Sequence, residues 1–429
     1  MRTPSASGGR LLLALLALQA LPALAHNGLP ETQNVTVRRG NENDLLVGAT
    51  FGALISRDKG QSWRWICPEG MGVGAWRPER YHWLSGGEII AATGSAVVRS
   101  RDGGCSWTTH PFFKDTWATS LAVDPANERL IHVATGKYSS ANGIYRSEDG
   151  GETWLTSLAP IPDTRYTAIR IAPSDPRRLY VSGQDSRGLF LSRSDDGGQT
   201  WTQLPLVLPQ AVSPYDFVLR VVSEASPDIL WVTVSASGGS YLLKSTDGGA
   251  TLAPVLEVPL EIFIGAEASA DGRTVWASTP ANLFRGREGE AFSALPLPEG
   301  NACARRAGDL LYGCGSPWVH QWGLARSRDE GTTWEPLLSF KGIQGAHSCP
   351  AATPVQQSCP SLWPQLAATL GADTPPVEGQ PPPADEDPSE PPLAVKDGCS
   401  AAAGLAPSAL LILALGLTRH SRRLQARRP

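Results

Sequence analysis

The chain has two methionines in 429 residues against fourteen tryptophans, a ratio that points to a tryptophan recurring at a repeated structural position. It has no excess of positive charge: 37 Lys and Arg face 41 Asp and Glu, a formal net charge of −4, which argues against nucleic acid as a partner. It lacks long apolar runs away from its two ends, so a polytopic membrane protein is excluded, and it lacks the Gly-X-Y period of collagen. No Cys-x-x-Cys or His–Cys spacing supports a zinc site, and there is no phosphate-binding loop or serine-nucleophile elbow, so no metal or other cofactor is expected. Turn formers are plentiful instead. Gly 44 and Pro 36 together make close to a fifth of the chain, while 41% hydrophobic residues is ample for a core and rules out a wholly disordered protein.

The two ends read as targeting segments. Arg2 and Arg10 precede an apolar run from Leu11 that closes on Ala23-Leu24-Ala25. A basic start, a short apolar stretch and an A-x-A site describe a signal peptide over 1–25, cut by signal peptidase before His26. At the other end, 371–398 is a Pro- and acid-rich linker that cannot bury apolar surface and reads as a disordered, solvated stalk. It is followed over 399–429 by Gly398-Cys399-Ser400, a short apolar helix to Leu417 and five arginines, which should hold the distal end in the cytoplasm and the body outside. This arrangement resembles the MYXO-CTERM sorting signal. The resemblance implies processing by a sorting protease near Cys399 and delivery to the cell surface; a permanent single-span membrane anchor is the alternative.

With Cys399 set aside, six cysteines remain in a chain read as exported. A two-residue loop at Gly308-Asp309 between strands 302–306 and 310–315 places Cys303 opposite Cys314, and so predicts that pair as a disulfide. Cys349 and Cys359 are close in sequence and are expected to close a loop in a C-terminal extension over 346–370. Cys67 with Cys105 is left by elimination.

Self-similarity sets the architecture. The pattern Ser-x-Asp-x-Gly-x-Thr/Ser-Trp begins at Ser56, Ser100, Ser147, Ser194, Ser245 (with Leu252 for the Trp) and Ser327. A decayed copy, Arg285 to Phe292, fills the gap, and the spacings are 44, 47, 47, 51, 40 and 42 residues. In such a hairpin Gly supplies positive φ, the Asp carboxylate accepts loop amides, and the Trp covers the underside. Each unit also carries short apolar strands, such as Leu121–Val123, Leu130–Val133 and Gly143–Arg146. Four strands in each of seven units predict an all-β, seven-bladed β-propeller over 26–345. The motif resembles the Asp-box, or BNR, repeat of sialidases, sortilin-type receptors, xyloglucanases and photosystem II assembly factors. The resemblance implies that Asp58, Asp102, Asp149, Asp196, Asp247 and Asp329 are structural, as are Trp63, Trp107, Trp154, Trp201 and Trp334, and that they lie away from the functional face.

No catalytic set is complete. The Arg-Ile-Pro element that the sialidase resemblance would require is absent, its nearest echo being Arg170-Ile171-Ala172. A xyloglucanase-like reaction needs two opposed acids, for which Asp115, Asp185 and Asp216 are the loop candidates; His132 reads as a packed residue. Trp76, Trp117, Tyr166 and Phe217 share one register before the first strand of their units, and Tyr138, Trp318 and Trp322 fall in loops on the same face. These rings either pack between blades or line a surface for an extracellular glycan or protein ligand. The reading taken is an exported, non-catalytic binding propeller, with a glycoside hydrolase of extracellular polysaccharide as the alternative.

Overall fold

A computed structural model describes residues 30–72, 81–94, 96–114, 116–208, 214–295, 303–315 and 321–372. The segments read as signal peptide, linker and sorting signal, with Cys399, Trp76, Trp318 and Asp115, lie outside the described residues. The described chain folds as seven consecutive antiparallel sheets of four strands each, the first with an added fifth strand, which is the seven-bladed propeller expected. The innermost strands are Thr32–Arg38, Tyr81–Trp83, Ala118–Val123, Arg165–Ala172, Pro214–Val222, Gly265–Ala268 and Cys303–Ala307, for blades 1 to 7 in order.

Alternation explains the ring. In Leu230–Ala236 (LWVTVSA) every residue is buried, because both faces of a blade are covered. Leu230, Val232 and Val234 join a core shared with Tyr180 and Leu191 of blade 4, whereas Trp231 points the other way, to Phe263 and Val275 of blade 6. The outer strands are joined by the repeated hairpin. In blade 4, Ser194 Oγ donates to Asp196 Oδ1 at 2.8 Å and accepts from Gly198 N at 2.8 Å. Asp196 then accepts the amides of Gln199 and Thr200 and the Thr200 hydroxyl. Gly197 and Gly198 sit at φ 73° and 82°, which a side chain would strain. The hydrogen bonds to Thr200 hold the Asp196 carboxyl down at about 2, and those to Thr251 do the same for Asp247. Hairpin glycine amides also bond the backbone at or just before the start of the second strand, Gly197 N to Arg177 O at 2.8 Å and Gly150 N to Arg129 O at 2.8 Å. The hairpins therefore mark that face of the ring.

Closure was not legible in the sequence. Blade 1 is complete from the N-terminal side, and Thr32 Oγ1 donates to Gly315 O of blade 7 at 3.2 Å. After blade 7 the chain adds Ile343–Ala346 in parallel to the outermost strand of blade 1, Trp63–Ile66. That strand runs into a short helix α1 (Pro68–Met71), and the chain ends its described part in α2 (Pro354–Leu370). Val355, Cys359, Trp363, Ala367 and Leu370, spaced by four and then three, form the buried stripe of α2. Trp363 packs 6.0 Å from Trp65.

Two of the three disulfides differ from expectation. Cys303–Cys314 forms, with Cα atoms 4.8 Å apart. Cys67 pairs with Cys359 and Cys105 with Cys349, rather than Cys67 with Cys105 and Cys349 with Cys359. The reason is α2: Cys359 is carried on its buried stripe against blade 1, while Cys349 lies before the helix and reaches the blade 2 hairpin.

Candidate functional site

The face opposite the hairpins is built from loops between second and third strands and from the crossings between blades. There, between blades 4 and 5, Gln184, Asp185, Gly188, Leu189, Leu206, Leu208, Pro214 and Tyr215 line a cleft of about 530 Å³. Tyr215 is 58% exposed. Asp185 ends the second strand of blade 4. It accepts from Arg187 Nη2 at 2.7 Å and from the Arg187 amide at 2.8 Å. Burial acts to raise its carboxyl, but the Arg187 hydrogen bonds and charge outweigh this and hold it below the usual range. Asp185 is thus a fixed carboxylate, suited to accept a proton or sugar hydroxyls rather than to donate a proton. Asp216 stands half-buried on the inner strand of blade 5, one residue from Tyr215.

Beside this cleft, the guanidinium of Arg165 stacks 3.6 Å over the ring of Tyr138, which is 68% exposed. Among the described residues, four of the six non-glycine residues at positive φ belong to this face: Ser139, Asp163, Leu260 and Gln321. Leu260 is both strained, at φ 58°, and almost wholly exposed. Strain and exposed apolar surface gathered on one face mark it as the face shaped for contact.

The aromatic register divides on inspection. Tyr166 and Phe217 are buried in interblade cores, so the surface reading does not hold for them. The Tyr166 phenol is pushed up to about 12 by burial and by the Asp185 charge, which places it under the cleft. Trp117 is half-buried, and Trp322 is buried against Gly315. Only Tyr138 among the described candidates is open to a ligand. His132 is fully buried, with no hydrogen bond to either ring nitrogen, and lies against the blade 4 hairpin at Gly198. It is a packed residue.

The sequence reading missed two features. Tyr215, at the start of the blade 5 inner strand, and Leu260, in a loop, were passed over because no period marks either. Arginines also converge on the central channel at its hairpin end, where Arg39, Arg170, Arg220, Arg305 and Arg306 line one cavity. A signal existed: Ile169-Arg170-Ile171 and Leu219-Arg220-Val221 repeat in one register of adjacent inner strands.

No family model matches this chain. Over 279 residues it is 26% identical to a xyloglucanase from a Paenibacillus species, a stretch covering 52% of this chain and 26% of that protein. An ancestral GH74 enzyme superposes with a TM-score of 0.57 at 14% identity, over 74% of this chain and 48% of the other. YCF48 from Cyanidioschyzon merolae superposes with a TM-score of 0.50 at 17% identity, over 71% of this chain and all of the other. These structural likenesses establish the propeller fold. The chain spans about half the length of the GH74 structure and about a quarter of the curated relative.

Proposed function

We propose that this propeller is directed at an extracellular polysaccharide, with a β-glucan of the xyloglucan kind as ligand and glycosidic-bond hydrolysis as the activity to test first. The observation that carries this is the cleft between blades 4 and 5, where a fixed carboxylate, Asp185, lies beside an exposed ring, Tyr215, on the face away from the hairpins. Aromatic faces bind sugar rings and a carboxylate holds their hydroxyls, so the cleft suits a glycan even before any reaction. The likeness to a xyloglucanase favours this over the non-catalytic binding module first expected. In the hydrolytic reading, Asp185 acts as the base-side carboxylate, and Asp216, the other described candidate, supplies the acid. Binding without turnover is the second reading, favoured by the Arg187 clamp on Asp185.

We read the six intact hairpins as Asp boxes, residues 1–25 as an export signal and the segment at Cys399 as a sorting signal. The relatives fit an extracellular site of action. The test is release of reducing ends from xyloglucan by the purified protein, run beside Asp185→Asn and Asp216→Asn. Turnover lost in either variant supports hydrolysis. Retention of the polysaccharide in affinity electrophoresis without turnover, weakened by Tyr215→Ala, supports binding alone. Neither turnover nor retention would sink the glycan assignment.

A further inference from the structure

We propose that the glycan taken by this face carries a carboxylate, and that Arg165, laid over Tyr138, is the subsite for its uronate residues. The inference rests on the glycan reading of the cleft and adds to it the acidic class of the sugar. Arg165 opens the inner strand of blade 4 and pairs in register with Gln184, which lines the cleft. Tyr138 stands in the loop between the second and third strands of blade 3. The two meet across the boundary between blades, with the guanidinium carbon 3.6 Å from the ring centroid.

The stack is fixed by the backbone beneath it. Asn142 is buried, and its Oδ1 accepts the Lys137 amide at 2.8 Å. Its Nδ2 donates to Lys137 O at 2.8 Å and to Thr164 O at 2.7 Å. One side chain therefore ties the residue before Tyr138 to the residue before Arg165. On each segment a non-glycine residue takes positive φ, Ser139 at 54° and Asp163 at 53°, a conformation that persists only where its surroundings enforce it. A platform set before the ligand arrives loses less freedom on binding.

What the platform lacks is a counter-charge. Arg165 Nε is buried with no hydrogen bond, and the terminal nitrogens have no acceptor among the described residues. No described carboxylate pairs with this guanidinium: Asp163 is exposed, and Asp185, next to Gln184, is taken by Arg187 at 2.7 Å. A guanidinium stacked by one face on a ring keeps its Nη1 and Nη2 edge for a planar acceptor, which a carboxylate meets with two parallel hydrogen bonds. A sugar hydroxyl would satisfy an N–H and leave the charge unmatched; a uronate does both. Tyr138 is 68% exposed, which leaves ring surface for the apolar face of the same sugar.

The experiment is affinity electrophoresis of the full chain in gels holding xyloglucan, and in gels holding the same xyloglucan with part of its primary hydroxyls oxidised to carboxylates. Stronger retention by the carboxylated polymer is expected, and Arg165→Gln should weaken that retention about tenfold or more. Tyr138→Ala keeps the charge but removes its support, and should lose the preference too, which an effect of net charge alone would not do. Arg165→Lys keeps the charge without the planar fork, and should fold and give intermediate retention even if Arg165→Gln does not fold. Arg177→Gln, which removes the same charge from an exposed site on the hairpin face, should leave the preference intact. Equal retention of both polymers by the parent protein, or a preference that survives Arg165→Gln, overturns the uronate subsite and leaves the glycan reading standing. Retention by polyglutamate as strong as by the carboxylated polymer overturns it in favour of a protein ligand. No retention by either polysaccharide sinks the glycan reading, and the subsite with it.

Discussion

Blades 1, 2 and 7 are held in the ring by different means from blades 3 to 6. Where the chain runs on from one blade to the next, neighbours are joined by packed faces and by arginine-to-carbonyl hydrogen bonds such as Arg170 to Arg220 O. At the seam the chain cannot run on, because blades 1 and 7 are its two ends. There the structure adds a parallel strand, helix α2 and two long-range disulfides. Blade 2 receives one of those bridges, and its inner strand is only three residues, Tyr81–Trp83. The two long-range staples thus tie the end of the described chain back to blades 1 and 2.

The largest expected effect tests that reading of the seam. Cys349→Ser with Cys359→Ser opens loops of 244 and 292 residues, and should cost about 5 kcal/mol in urea unfolding. Either single change should cost less than half of that, because the remaining bridge still closes the seam. Removing Cys303–Cys314, which spans 11 residues, should cost about 2 to 3 kcal/mol. If loss of the short bridge proved costlier than the double change, the seam would owe its stability to packing.

In the continuous sector the corresponding loss is an aromatic. Trp154 is buried, with Phe113 at 4.8 Å in edge contact and His110 at 6.2 Å. Trp154→Ala should cost about 3 to 5 kcal/mol, the range for large aromatic truncation. An unchanged melting temperature would show that blades 2 and 3 do not rely on it.

Within the continuous sector, acid should act in two separate pH windows. Burial, with Arg146 adding to it, lowers the His132 imidazole to about 3 from its usual 6.5. The folded value lies below the unfolded one, so the unfolded chain takes up the proton first. The full contribution of neutral His132 is present above pH 6.5 and falls as pH drops from there towards 3, by about 1.4 kcal/mol per unit. Asp196 and Asp247, also depressed, act in a lower window, below about pH 4. His132→Leu, the residue type that blade 1 carries at Leu46, should flatten the upper limb and leave the lower one. Unchanged unfolding midpoints between pH 6.5 and 5 in the parent protein would count against a neutral buried His132.

What could be read in the sequence was local. The hairpins were legible because the Ser and Asp side-chain hydrogen bonds that shape the turn fall within eight residues, as from Ser194 to Trp201. Cys303–Cys314 was legible because a two-residue loop fixes its register. The other two bridges join residues brought together only by ring closure, and the prolines at 360 and 364 hid α2. The shared register of Tyr166 and Phe217 was legible too, but a repeated aromatic records only a repeated environment. Here that environment is the interblade core, whereas the cleft depends on single strand-end residues, Asp185 and Tyr215, that no period marks.

The smallest effect compares an intact hairpin with the decayed one. In blade 4, Ser194 is buried and its hydroxyl accepts the Gly198 amide while donating to Asp196. Ser194→Ala leaves that amide without its acceptor, and a cost of about 1 to 2 kcal/mol is expected. In blade 6 the same position is Arg285, and Arg287 stands where the Asp would be. Neither side chain is seen to brace its own turn, where the Arg287 carbonyl accepts the Glu290 amide at 2.9 Å. Arg285 Nη1 donates to Glu330 O at 3.2 Å, and Arg287 pairs with the Glu330 carboxylate at 2.6 Å, both across to the blade 7 hairpin. The blade keeps its four strands all the same, because its pattern of buried residues survives: Thr274–Ser278 is buried throughout. The hairpin motif is thus a brace on a blade whose topology comes from strand alternation. Arg287 and Glu330 are each more than two-fifths exposed, so Arg287→Ala should change stability by no more than about 0.5 kcal/mol. A loss matching that of Ser194→Ala would show that blade 6 has replaced its brace with one of equal strength from blade 7.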